Sequence, residues 1–245
     1  MEEKDSYERK IKKFYGDDPK EMPLYGFSQA ASYLKIPLPT LRSWIRGRKY
    51  PVGQDGEVRF SAPVIKPPKS AFPMLSFMNL IEAHVLKGIR KVENIPFYKV
   101  RNALWYVEEK FQSKHPLADY QFLTDGVELF IEHLDELVTV SKSGQLVFRE
   151  LIEVYLRRID RNPDKTPIRL YPFLKRDAEK TEPKVISINP LVSFGRPVIV
   201  GTGVPTEVVA ERFQAGDSLT DLTEDYGITK EEAEEAIRYE YRQAA

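Results

Sequence analysis

The chain of 245 residues contains no cysteine. Disulfides, zinc–thiolate centres and cysteine nucleophiles are excluded at once, and the composition fits a reducing compartment. Histidine is almost as scarce: His84, His115 and His133 fall on separate elements and share no metal-ligand spacing. No apolar run approaches the length of a membrane span, and the longest, such as residues 74–86, are broken by polar side chains. Met1-Glu-Glu-Lys-Asp lacks the apolar centre of a signal peptide. Internal repeats and low-complexity tracts are missing too. These absences lead to the expectation of a soluble, cytoplasmic protein with no cofactor, no metal and no membrane partner.

What is present is 42% hydrophobic and 30% charged, enough for one large domain or two to three small ones. The formal net charge is zero, but the charge is segregated. Residues 21–70 carry eight basic against three acidic side chains, a net of +5, whereas residues 184–245 carry six against eleven, a net of −5. A basic front suits nucleic acid, and an acidic back suits a different partner.

The most informative stretch is residues 26–60. Phe27, Ala30, Ala31 and Leu34 fall at helical spacing, with Ser28 read as the cap and Ile36-Pro37 as the stop. Pro39 suits the first turn of a second helix, whose apolar stripe is Leu41, Trp44 and Ile45. Thr40, Arg42, Ser43, Arg46 and Arg48 are left facing outward. Residues 50–52 and 58–60 flank Asp55-Gly56, a hairpin turn signal. Helix, turn, helix and basic ribbon make a winged helix-turn-helix. Thr40, Arg42, Ser43, Arg46, Arg48, Lys49 and Arg59 are its candidate DNA contacts, with Arg42 and Arg46 at base edges and Lys49 and Arg59 on phosphates.

Further along, residues 2–15 read as a charged helix, and 75–91 and 94–111 as supporting helices. Residues 122–130, around Asp125-Gly126, and 137–148, around Ser143-Gly144, read as hairpins. A helix follows through Leu151, Val154, Tyr155 and Ile159, then a strand at 168–173. Ser218-x-x-Asp221 and Thr229-x-x-Glu232 are capping boxes of short helices that follow the loop at Gly201-Thr202-Gly203. The expected fold is α+β, mainly α: an N-terminal winged helix-turn-helix, a middle region with hairpins and a homeodomain-like three-helix unit. Its expected divisions are a 1–20 extension, a 21–115 DNA-binding domain, a 116–175 middle region, a 176–184 linker and a 185–245 C-terminal domain.

Two segments carry a resemblance. Residues 26–60, with Leu75-Ser-Phe-Met-Asn-Leu-Ile-Glu-Ala and Ile95-Pro-Phe-Tyr-Lys-Val-Arg, resemble a MerR-like DNA-binding region. Arg196-Pro197-Val-Ile-Val-Gly201-Thr202, continuing to Pro205 and on to Glu224-Asp-Tyr-Gly-Ile-Thr229, is similar to the domain of unknown function 433 found in VapB-type antitoxins. The middle segments also look like the long members of that family. The resemblance implies a non-enzymatic antitoxin that binds and silences a cognate PIN-like ribonuclease toxin, acts as a homodimer and represses its own operon at operator DNA. It points to Arg196, Pro197, Gly201, Thr202, Gly203, Pro205 and Arg212 as partner-binding residues. Family members usually carry an arginine where this chain has Gly203, so that contact is absent here, or Arg196 or Arg212 supplies it, or the glycine serves the turn. A MerR-like regulator with a small-molecule sensor in its middle region is the alternative. A small hydrolase using Asp221 or Glu224 is a third reading, although capping and surface duty account for those carboxylates.

Overall fold

The computed structural model describes residues 18–52, 57–91, 95–137, 142–173 and 182–241. The expected 2–15 helix, the Asp55-Gly56 turn and most of the expected linker lie outside them. Strand β1 (Tyr25–Gly26) leads into α1 (Phe27–Leu34), which buries Phe27, Ala30, Ala31 and Leu34. No side chain caps its start at Gly26; Ser28, expected there, sits two residues too late, on the exposed face of the helix. Its end is set two residues before Pro37. Lys35 takes a left-handed conformation (φ 51°) while Ile36 N–H bonds Ala31 O at 2.9 Å and Lys35 N–H bonds Ser32 O at 3.1 Å.

Helix α2 (Leu38–Arg46) has Pro39 in its first turn and buries Leu41, Trp44 and Ile45. Gly47 (φ 70°) ends it where a Cβ would collide with Ser61 O, so only glycine lets the chain turn into the ribbon. That ribbon pairs β2 (Arg48–Val52) with β3 (Glu57–Ser61), in the register Lys49 to Phe60 and Tyr50 to Arg59.

β4 (Met74–Leu75) pairs antiparallel with β1 and delivers the chain to α3 (Phe77–Ile89), the central helix. Ser76 and Asn79 form a full capping box at its start. Leu80, Ile81, Val85, Leu86 and Ile89 are all fully buried along it. Its Lys87 Nζ donates to Leu34 O at 2.8 Å, satisfying a carbonyl that α1 leaves open at its end. α4 (Phe97–Phe111) follows.

The middle region departs from expectation. Residues 122–130 are helical: a π-turn at Phe122–Gly126 runs straight into α5 (Val127–Leu137). Phe122, Phe130, Ile131 and Leu134 point into one core, at helical spacing. Gly126 serves close packing and not a β-turn, since a Cβ there would lie 2.8 Å from the Phe111 ring and 2.9 Å from the Phe122 ring. The second expected hairpin is likewise displaced, because α6 (Lys142–Leu156) takes in Ser143-Gly144 and Gln145–Phe148. Stacking of Phe130 on Phe148 at 5.6 Å explains why tertiary packing prevails over the alternating pattern.

A hairpin does occur, later: β5 (Ile159–Arg161) with β6 (Pro167–Leu170). Ile159, expected in the preceding helix, opens it. Leu170 then bridges to Ile188, next to β7 (Ile186–Ser187), which pairs with β8 (Val198–Ile199). Arg158 holds this crossing. Its guanidinium donates to Tyr171 O at 3.0 Å, Pro172 O at 3.0 Å and Glu182 O at 2.7 Å. The last helices are α7 (Thr206–Gln214), α8 (Leu219–Tyr226) and α9 (Lys230–Tyr241). One large core runs from Tyr25 to Ile188, and a smaller one joins Ile199, Val209, Leu222, Ile228, Ala233 and Ala236. No helix among the described residues is long and apolar enough to cross a membrane.

The histidines prove more interesting than their spacing suggests. His84 is buried, its Nε2 is 3.1 Å from Tyr155 O, and burial pulls it down to about 3. His115 sits between two carboxylates, with Nδ1 2.9 Å from Glu82 and Nε2 3.1 Å from Glu21. Burial alone disfavours the imidazolium, but the bonds and charges of Glu21 and Glu82 together outweigh it and push His115 up to about 9. Glu21 is held down at about 2, first by His115 and then by Lys114, whereas burial pushes Glu82 upward.

A folded-state value above 6.5 means that His115 stabilises fully below that pH and loses its contribution as pH climbs toward 9. Lys87, pulled down to about 8 by burial, carries its full charge-burial cost below that pH and sheds it as pH rises above 8. Urea unfolding should therefore show stability falling between pH 7 and 8, by at most ~1.4 kcal/mol per unit. By NMR, His115 should remain protonated at pH 7.5, and Glu21→Gln should draw its titration downward. A His115 that titrates near 6.5 in the intact protein would refute the assignment.

Candidate nucleic-acid interface and C-terminal loop

Thr40, Arg42, Ser43, Arg46 and Arg48 line one groove of about 570 Å³, joined by Ser61, Arg90 and Phe97. Four arginines and no acidic side chain line it among the described residues. Arg42, Arg46 and Arg48 are solvent-exposed, with Arg46 resting 5.1 Å over the Phe27 ring. The Ser43 hydroxyl donates to Thr40 O at 2.7 Å and so belongs partly to the helix itself.

The pleat of the ribbon sorts the remaining candidates. Pairing places Arg48, Tyr50, Arg59 and Ser61 on one face and Lys49, Pro51, Val58 and Phe60 on the other. Arg59 thus shares the face of the groove-lining Arg48. Lys49 lies on the opposite face, so the two cations expected on phosphates point to different sides of the ribbon.

Arg90 and Phe97 were missed by sequence reasoning. They sit at the end of α3 and the start of α4, and only tertiary packing brings them to the recognition helix. Arg90 Nη1 donates to Ile95 O at 2.7 Å, which holds the connection beside the groove. Arg101 hydrogen-bonds the Ser61 hydroxyl and anchors the ribbon to α4. No motif in the sequence announces these residues.

The C-terminal loop is built by its own turns. Thr202 Oγ1 donates to Ile199 O at 2.9 Å and accepts from Val204 N–H at 3.0 Å. Gly201 (φ 83°) and Gly203 (φ 73°) are left-handed, and Gly203 O accepts from the Ser193 hydroxyl at 2.7 Å. Gly201 and Thr202 are exposed, and Pro205 is half-buried at the edge of α7. Pro197 is buried, with its carbonyl taking Thr206 N–H at 3.0 Å, so it braces the turn and is not offered to a partner. Arg212 pairs with Asp217 and Asp225 and lies 5.2 Å over the Tyr226 ring, which employs it within the three-helix unit. Arg196 is half-buried, with Nε 3.3 Å from Ser193 O.

Both capping boxes form. Ser218 and Asp221 exchange bonds of 3.2 and 3.1 Å, and Thr229 and Glu232 bonds of 3.2 and 2.8 Å. Asp221 therefore works as a helix cap, and no group of three or more acidic, histidine or cysteine side chains among the described residues could hold a metal ion.

This loop does not hang free. The Tyr239 hydroxyl donates to Tyr33 O at 2.7 Å, while Lys35 Nζ stands 4.3 Å over the Tyr239 ring. A Cβ at Gly195 would collide with the Tyr25 hydroxyl and Leu24. The first helix of the helix-turn-helix is thus the floor on which the C-terminal unit sits.

Residues 23–104 match a family described as "Putative DNA-binding HTH domain", and residues 186–239 match "Protein of unknown function (DUF433)". The chain is 30% identical over 235 residues to "Putative antitoxin VapB45" of Mycobacterium tuberculosis, covering 89% of this chain and 93% of that one. It is 24% identical over 225 residues to the uncharacterised protein Rv2308 of the same organism, covering 88% and 89%. Among solved structures, Rv2018 of M. tuberculosis shares the fold, with a TM-score of 0.62 at 24% identity over 89% of this chain and 98% of that one.

The left-handed glycine at the end of the loop is open to a direct check. Gly203 has room, its nearest neighbour being Val192 Cγ1 at 3.9 Å, so any penalty there is purely one of backbone. Gly203→Ala should lower stability by ~1–2 kcal/mol through the left-handed φ, read as a shifted urea midpoint. An unchanged midpoint would show that the turn does not need glycine.

Proposed function

We propose that this chain, which belongs to the family of "Putative antitoxin VapB45", is the antitoxin of a two-protein pair. It binds and neutralises a PIN-like ribonuclease and, as a homodimer, represses its own operon. The observation that supports the reading most directly is the acid-free arginine groove on α2, set in one molecule with an acidic three-helix unit.

DNA carries its charge on phosphates, so a groove that holds Arg42, Arg46, Arg48 and Arg90 gains affinity by releasing counterions. Arg42 and Arg46 rise from the exposed face of α2 at a spacing of one turn, the placement a recognition helix uses toward base edges. Arg59 approaches phosphate from the ribbon, and Lys49 serves a separate phosphate from the ribbon's other face. Two copies would read paired half-sites.

The toxin-facing surface centres on the exposed tip at Gly201 and Thr202, with Gly203, Pro205 and the half-buried Arg196 behind it. Arg196, if it turns outward, brings a planar fork suited to a carboxylate of a metal-dependent nuclease. Acidic α7–α9 complement a nuclease surface that must itself be basic to grip RNA. The divisions at 20, 115, 175 and 184 then separate an extension, a reading head, a brace, a connector and a partner unit.

Two measurements test the reading. Arg42→Ala should relax operator sequence preference by ~1–3 kcal/mol at one base position, whereas Arg59→Ala should weaken all sequences alike and lower the salt slope by ~1. Tagged protein co-expressed with the product of the adjacent open reading frame should retain that protein and suppress its nuclease activity. Operator binding that ignores both substitutions, or a neighbour that is neither retained nor inhibited, would overturn it. Operator affinity that instead follows a small molecule, with no protein neighbour, would turn the assignment to a ligand-sensing regulator.

A further inference from the structure

We propose that Phe194 is the anchor side chain by which the C-terminal unit plugs an apolar socket on its nuclease partner, a proposal that rests on the antitoxin reading above. Phe194 is 77% exposed, more than any other large apolar side chain among the described residues. It is also held in an unfavourable backbone state. Ser193, Phe194 and Gly195 have successive φ values of 47°, 56° and 74°. Left-handed geometry is costly for a residue with a Cβ, and an aromatic gains nothing from it locally. Asparagine or glycine would make the same turn at lower cost, and a phenylalanine kept for packing would be buried. A strained and exposed aromatic is the opposite of both, and strain of this kind concentrates where a surface is kept for binding.

The turn is clamped from below. Gly195 N–H donates to Val192 O at 2.9 Å, and a Cβ at Gly195 would collide with the Tyr25 hydroxyl, so there is no room for a side chain. The Ser193 hydroxyl donates to Gly203 O at 2.7 Å, which locks this turn to the exposed tip at Gly201 and Thr202. Phe194 is therefore presented on a rigid base, and ordering costs on association are reduced in advance.

Charge selects the occupant. The unit carries eleven acidic against six basic residues, and Glu207 and Glu211 are exposed on the helix that leaves the loop. Nucleic acid is repelled by such a surface, and so is a second acidic unit. A protein with a basic, RNA-gripping surface is attracted, and an aromatic knob inside a charged rim is the usual anatomy of a binding hot spot.

The test measures affinity of the purified full chain for the protein encoded by the adjacent open reading frame. Phe194→Ala and Phe194→Asn should each weaken that complex by about 30-fold or more and release its nuclease activity. Phe72→Ala, which removes an aromatic 73% exposed on the connector ahead of β4, should leave affinity unchanged. Phe194→Asn should melt no lower than the wild type, because asparagine tolerates the left-handed turn; a purely structural role predicts a lower melting point with affinity intact. If both Phe194 variants bind within threefold of wild type, the anchor is overturned while the antitoxin reading stands. If wild type itself captures nothing, the antitoxin reading fails and the anchor fails with it. Loss of a homodimer in sedimentation, with nuclease binding kept, would assign Phe194 to self-association and also overturn the proposal.

Discussion

The structure depends on the seating of α9 against α1. Tyr239 is buried to 1% exposure, and its hydroxyl must find an acceptor or leave a polar group stranded. It takes the Tyr33 carbonyl, in the last turn of α1, where a helix has carbonyls to spare. Lys35, whose left-handed backbone ends that helix, lays its ammonium over the same ring, and Lys87 from α3 reaches the Leu34 carbonyl. Two separate helices, α9 and α3, thus satisfy carbonyls at the open end of one short helix. The consequence is mechanical: the surface offered to nucleic acid and the loop offered to a protein share a single support.

Polar groups inside the brace serve placement more than net stability. Glu82 and His115 are almost inaccessible, and Asn79 bonds Glu82 at 3.0 Å and Lys66 O at 3.1 Å. Arg158 distributes its donors among carbonyls on either side of residues 174–181. Burying charge is costly unless every partner is met, so such networks admit one arrangement of the chain and penalise others. Glu21, just ahead of the helix-turn-helix, is held by His115 beyond α4, and this ties the approach to the reading head onto the middle of the molecule.

Charge segregation completes the design. A net charge of zero gives no hint of partners, but +5 at one end and −5 at the other gives each end its own. Within the acidic unit, Arg212 is consumed by Asp217 and Asp225. That neutralises a cation beside the loop and leaves the unit's outward character negative.

The sequence by itself determined the helix-turn-helix, its ribbon, the two capping boxes and the outward arginines, because each follows from spacing or capping within a few residues. Only the tertiary structure decided the middle region. Alternation at 122–130 and 145–148 imitates a strand, and the rings of Phe122, Phe130 and Phe148 favour helix there because that conformation buries them together. The separation of Lys49 from Arg59 came from the pleat, and the arrival of Arg90 in the groove from the packing of α3. Most of all, the burial of Pro197, the engagement of Arg212 and the exposure of Phe194 depend on what lies beneath a loop. A local pattern records which turns a segment can make; which side of the finished turn meets solvent is settled by the surface it lands on.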